Sequence, residues 1–179
     1  MTGDAARRPG VRASAGRGGP RPACPPQDLA AGGCLRFEAG TGRHRLWGTA
    51  QLSHDGLSVN LLGGEVPHIG AVAVSIPRVS LSSPRRRSAT TSVFTIVGHK
   101  EDELARSVAS ELARRLGVIT VVVAGVHIRR AGPADIATVL GNANQAVKAI
   151  LAEVKARGGP VRGFPVGMRV GGKGGRHAT

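Results

Sequence analysis

HKEDELARSVASELARRLGVITVVVAGVHI, residues 99–128, contains a change of period that decides the fold class. In its first half Leu104, Val108, Leu112 and Leu116 recur every four residues, and Ala105 and Ala109 widen the stripe, which predicts an amphipathic helix. Glu101, Asp102 and Glu103 fall in the first turn and Arg114 and Arg115 in the last, matching the helix dipole, while Gly117 suits the stop. From Val118 the pattern becomes a nearly unbroken β-branched run, which reads as a central strand. If this strand is apolar on both faces, helices can cover one side of its sheet. A second subunit packing sheet to sheet would cover the other, so a homodimer is expected.

Upstream, CLRFEAG (34–40), RHRLWGTAQLSHDG (43–56) and LSVNLLGG (57–64) show short period-two alternation. Gly40-Thr41-Gly42 and the hairpin signal His54-Asp55-Gly56 separate them, which predicts a meander. HIGAVAVSIP (68–77) and TSVFTIVG (91–98) are nearly continuous apolar runs and read as further strands. Downstream, Pro133 is a good first helical residue for a helix burying Ile136, Val139, Leu140, Ala143, Val147, Ile150, Leu151 and Val154. Strands, helix, strand, helix make an α+β fold: a two-layer domain with a mostly antiparallel sheet of about six strands and two helices on one face.

The domain is expected over residues 34–156, flanked by basic Gly/Pro/Arg-rich tails at 1–33 and 157–179 that lack the apolar surface to offset chain entropy and are expected to be disordered. These tails carry +3 and +5 of the formal +14, leaving +6 for the domain, so weak non-specific nucleic-acid binding is expected of the tails alone. Aromatic residues make up 2% of the chain, too few for base-stacking platforms. Cys24 and Cys34 suggest neither a disulfide framework nor a metal cluster. With no apolar run of membrane-spanning length and no secretory leader pattern, the expectation is a cytoplasmic protein with no membrane partner.

The chemical signal lies at strand ends. Three of the six histidines, His68, His99 and His127, stand at the edges of the most apolar strands. For each taken singly, a ring satisfied by a backbone carbonyl is the commoner arrangement. As a group they point to a site. In VGHKEDE (97–103), Gly98, His99 and Lys100 open a helix whose backbone N–H groups and dipole suit a phosphate, although the acids at 101–103 fit an ordinary helix start equally well. GGEVPHIGAVAVSIP (63–77) places Glu65 and His68 at the rim of a buried strand, with glycines that let the backbone approach a ligand or turn tightly. IPRVSLSSPRRRSATTS (76–92) reads as a long connection in which Arg85, Arg86 and Arg87 meet an anion or are simply solvated. There is no GxSxG, HExxH, CxxC pair, Walker A loop or correctly placed GxGxxG, and no nucleophile beside the histidines, so no metal site and no catalytic residue is assigned and binding is favoured over turnover.

PHIGAV, GHKEDELA and AGVHI, in that order, resemble the LpdD-like family of prenylated-flavin chaperones, a family distantly similar in fold to proteasome assembly chaperones. The resemblance implies a homodimeric α+β domain, not an enzyme, that binds prenylated flavin mononucleotide (prenylated FMN) in its reduced form and assists its delivery to a UbiD-type decarboxylase. The residues it carries over are Glu65, His68, Gly98, His99, Lys100 and His127 as cofactor-binding positions. A protein-assembly factor without a small-molecule ligand, or a basic nucleic-acid-binding protein, are the alternatives.

Overall fold

A computed structural model describes residues 33–158 except His54; residues 1–32 and 159–179, which make up nearly all of the two tails, lie outside the described residues, as does the expected disorder of those tails. Six strands, β1 (Cys34–Ala39), β2 (Leu46–Leu52), β3 (Gly56–Gly64), β4 (Ala71–Val79), β5 (Arg87–Thr95) and β6 (Ile119–His127), form one sheet, joined by helices α1 (Asp102–Leu116) and α2 (Pro133–Ala156). The order across the sheet is β1-β2-β3-β6-β4-β5. β6 runs parallel to β3 and antiparallel to β4, and every other pairing is antiparallel, so the sheet is mixed but mostly antiparallel and remains open.

The period change at Gly117 is what inserts β6 into the middle. α1 ends on Gly117 in the left-handed conformation, φ 74°, whose N–H returns to the Ala113 carbonyl. The chain then enters β6, where Thr120, Val122 and Ala124 are buried. They join Leu57, Val59 and Leu61 of β3, Ala71 and Ala73 of β4, Leu104, Val108 and Leu112 of α1, and Val147, Ile150 and Val154 of α2 in a single core. Both helices therefore lie on one sheet face, as the apolar stripes require.

On the other face the sheet divides. Alternation puts Val72 and Val74 of β4 and Ile119, Val121 and Val123 of β6 there, partly buried, with Ile76 and Phe94 exposed beside them. The β1–β3 half of the same face carries Arg36, Glu38, Thr49, Gln51, Ser58 and Asn60.

Two expectations are corrected. The connection read over 76–92 is mostly strand: β4 reaches Val79 and β5 starts at Arg87, in register from Val79–Arg87 back to Ala71–Thr95, and only residues 80–86 form the turn. Pro77 sits in β4 beyond the last β4–β6 pair, Ser75–Thr120, where one edge of the strand is free and a missing N–H is tolerated. Arg87 reaches the C-terminal carbonyl of Arg115 at 3.5 Å, a favourable end of the α1 dipole for a cation. The second correction concerns α2. Ile136 and Leu140 are 56% and 40% exposed rather than core, although Val139 between them is buried, while Asn142 takes a buried place by donating to the His44 carbonyl at 2.8 Å.

Candidate functional site

The topology forces the chain to cross the end of β6. Because β6 lies between β3 and β4, residues 65–70 must pass over it, and they do so as a strap hydrogen-bonded at both ends. Glu65 N donates to the His127 carbonyl at 2.7 Å, and Gly70 N donates to the Ala124 carbonyl at 2.9 Å. Between them the strap rests on Gly125, where a side-chain carbon would fall on the carbonyl oxygen of His68. Gly63 and Gly64 close β3 against Val126 and His127, so they serve strand pairing.

The strap delivers His68 to the start of α1. Gly70 accepts from Ile96 N at 2.8 Å and His99 N returns to the Ile96 carbonyl at 3.1 Å, so the turn after β5 brings His99 beside His68. Their ring centroids are 4.3 Å apart at 38°, and the His127 ring meets His68 edge-on at 6.0 Å. Glu101, the N-cap residue of α1, lies between the first two: Oε1 is 3.2 Å from His68 Nε2 and Oε2 is 3.8 Å from His99 Nδ1. Oε2 also accepts the Lys100 N–H at 3.0 Å. The carboxylate is 11% exposed, and the two rings 19% and 33%.

In front of this cluster a cleft of about 420 Å³ opens between the starts of the two helices. Gly98, His99, Lys100, Glu101 and Glu103 form one end; Leu104, Val126, Ile128, Ile136, Val139 and Leu140 make the apolar remainder, with His127 between. No side chain caps α1, so its first-turn N–H groups remain as donors at the polar end. The α2 wall is pinned from outside the cleft. Asp135 accepts Gly132 N–H at 2.8 Å and faces His44 Nε2 at 2.7 Å, and these bonds, together with nearby Arg43, hold its carboxyl below the usual carboxylate range.

Of the residues expected from the sequence, Gly98, His99, Lys100 and His127 line the cleft, and His68 stands behind it against Glu101. Glu65 is not among the lining residues; its Oε2 accepts the Arg129 N–H at 2.7 Å and ties the strap to the loop entering α2. Sequence reasoning missed Glu101, which it treated as one of three acids neutralising a helix dipole. It also placed Ile136 and Leu140 in the core. The available signal for Glu101 was its position two residues after His99, at the junction of strand and helix rather than inside the first turn.

Residues 40–155 match the family model described as the prenylated flavin chaperone LpdD-like domain. The chain belongs to the LpdD-like family. The LpdD-like match spans the strap, the start of α1, β6 and the cleft wall of α2, so every residue of the site lies within it. The family is one of chaperones. Among solved structures, the LpdD-like chain is similar to one in "Crystal Structure of a Novel Chaperone Complex for Yeast 20S Proteasome Assembly", at 15% identity and a TM-score of 0.47, over 70% of this chain and 97% of that one. No curated protein sequence matches it significantly. Among the described residues of the LpdD-like chain, no helix is long and apolar enough to cross a membrane.

Proposed function

We propose that this chain is a cytoplasmic chaperone that binds reduced prenylated FMN in the cleft between the starts of α1 and α2 and hands it to a UbiD-type decarboxylase, without catalysing a reaction itself. The observation that carries this reading is the mixed lining of the cleft: Lys100, His99 and the uncapped start of α1, with Glu101 and Glu103 beside them, and the aliphatic side chains of Ile136 and Leu140, which project from α2 without reaching the core. That division suits a ligand with a phosphate at one end and a flat, alkylated ring at the other.

Lys100, His99 and the uncapped N–H groups of α1 would hold the phosphate, and Leu104, Val126, Ile136 and Leu140 would face the ring. The reduced cofactor supplies an electron-rich ring to the enzyme that finally uses it. Within this chain the residues only bind, orient and shield it; among the described residues no cysteine lines the cleft to react with it. The apolar β4–β6 half of the open sheet face supports the homodimer, because Val72, Val74, Val121 and Val123 present a contiguous surface that a second copy can bury by a two-fold.

Anaerobic titration of the full chain with reduced prenylated FMN, against plain FMN as control and followed by thermal stability, tests the reading. A saturable upward shift with the prenylated form, reduced in Lys100→Ala and His99→Ala, is expected. No shift with folded protein would overturn it, and a shift unchanged in both variants would overturn the phosphate assignment.

A further inference from the structure

We propose that His68, His99 and Glu101 form a binding site for one divalent transition-metal ion. The argument begins at His68. Its Nδ1 lies 3.2 Å from the Val66 carbonyl oxygen, an atom that can only accept, so Nδ1 carries the ring proton. In the neutral ring Nε2 is then a bare lone pair. That nitrogen is buried, has no hydrogen-bond partner among the described residues, and lies 3.2 Å from the Glu101 carboxylate. A ring nitrogen and a carboxylate oxygen thus lie close together out of water with no hydrogen bond aligned between them, an arrangement that a positive charge beside both would stabilise.

The donor set names the charge. One ligand atom each from His68, His99 and Glu101 lies within 4.8 Å of the others. Two imidazoles and one carboxylate make the nitrogen-and-oxygen set that suits zinc and iron(II), and three protein ligands leave a coordination position open. The outer contacts are those of a metal site as well. The Val66 carbonyl sets the His68 tautomer that exposes Nε2, and Lys100 N–H orients the Glu101 carboxylate. Ligand atoms around a tetrahedral zinc sit about 3.3–3.5 Å apart. The 3.2 Å from His68 Nε2 to Glu101 Oε1 is close to this; His99 Nδ1 lies 3.8 Å from the other oxygen, Oε2, and reaches a shared ion by swinging inward on the turn between β5 and α1. A bound dication would also offset the negative charge of Glu101, Asp102 and Glu103 at the α1 terminus.

The site does not depend on the flavin reading, and its test uses metal alone. The full chain, purified without a histidine tag, is titrated with Zn²⁺ by calorimetry and with Co²⁺ by visible absorption, whose intensity reports a low-coordinate ion. One ion per chain is expected, with affinity falling about tenfold or more in His99→Asn and in Glu101→Gln and unchanged in Glu65→Gln, which alters a carboxylate of the strap outside the triad. Metal-free melting curves confirm that each variant is folded; His99→Asn, on the turn before α1, covers the case in which Glu101→Gln disturbs the bond to Lys100 N–H. The absence of saturable one-to-one binding, or wild-type affinity in both triad variants, overturns the site.

Discussion

Gly70 lies directly beneath the carboxylate of Glu101, with no room between them for a side-chain carbon. Gly125 stands in the same relation to the carbonyl of His68. The two contacts differ in what must yield. At Gly70 it is the end of a flexible side chain, so Gly70→Ala is expected to cost only about 1 kcal/mol while turning the carboxylate away from His68 and His99. At Gly125 it is backbone. Gly125→Ala must lift the strap and is expected to cost about 2–3 kcal/mol. Urea denaturation of both variants checks the order; equal losses would show that the strap moves as easily as a side chain.

Glu65 reaches from the strap to the loop before α2, accepting Arg129 N–H at 2.7 Å. Glu65→Ala removes an exposed charge-assisted bond and is expected to cost about 1 kcal/mol, with faster hydrogen exchange at the Arg129 amide. Flavin affinity should change little, since Glu65 does not line the cleft. A large direct loss of affinity with the loop amide still protected would contradict this assignment.

Asp135 couples the β1–β2 connection to the start of α2 through His44, 2.7 Å away. Its carboxyl is held below 3.8 by Gly132 N–H, then by His44 and Arg43. A depressed folded-state value stabilises the protein above the unfolded value, and that contribution disappears as pH falls through the folded one. Asp135→Asn is therefore expected to lower the melting temperature at neutral pH and to match the parent in strong acid. Melts across that range decide it; a deficit that persists in acid would point to packing rather than charge.

Val121 and Val74 are paired across β6 and β4 on the sheet face opposite the helices. Val74→Glu puts a charge in the middle of this apolar area without touching the helix side, so it is expected to convert a dimer into a folded monomer. Sedimentation velocity reads the result. A wild-type chain that sediments as a monomer at all concentrations would remove the dimer from the proposal.

The local sequence was sufficient for the elements. The four-residue stripe of α1, the left-handed stop at Gly117, the β-branched run of β6 and Pro133 at the start of α2 all act through neighbours a few residues away, and they stand where the pattern put them. His99, Lys100 and His127 stand out for the same reason, as polar residues at the ends of apolar runs, and with Gly98 they line the cleft. The misjudged places depend on pairing. Residues 76–92 carry two prolines, many hydroxyls and four arginines, and most of them become strand only because β4 and β5 supply each other's hydrogen bonds. Ile136 and Leu140 have the period of a core stripe, yet they line the open cleft on either side of the buried Val139, and no periodicity reports which residues of a stripe meet a cleft instead of the core. The cluster itself was decided by tertiary structure alone. Inserting β6 between β3 and β4 compels residues 65–70 to cross over, and that crossing carries His68 to a carboxylate 33 positions later in the chain, an encounter made by sheet order rather than by sequence spacing.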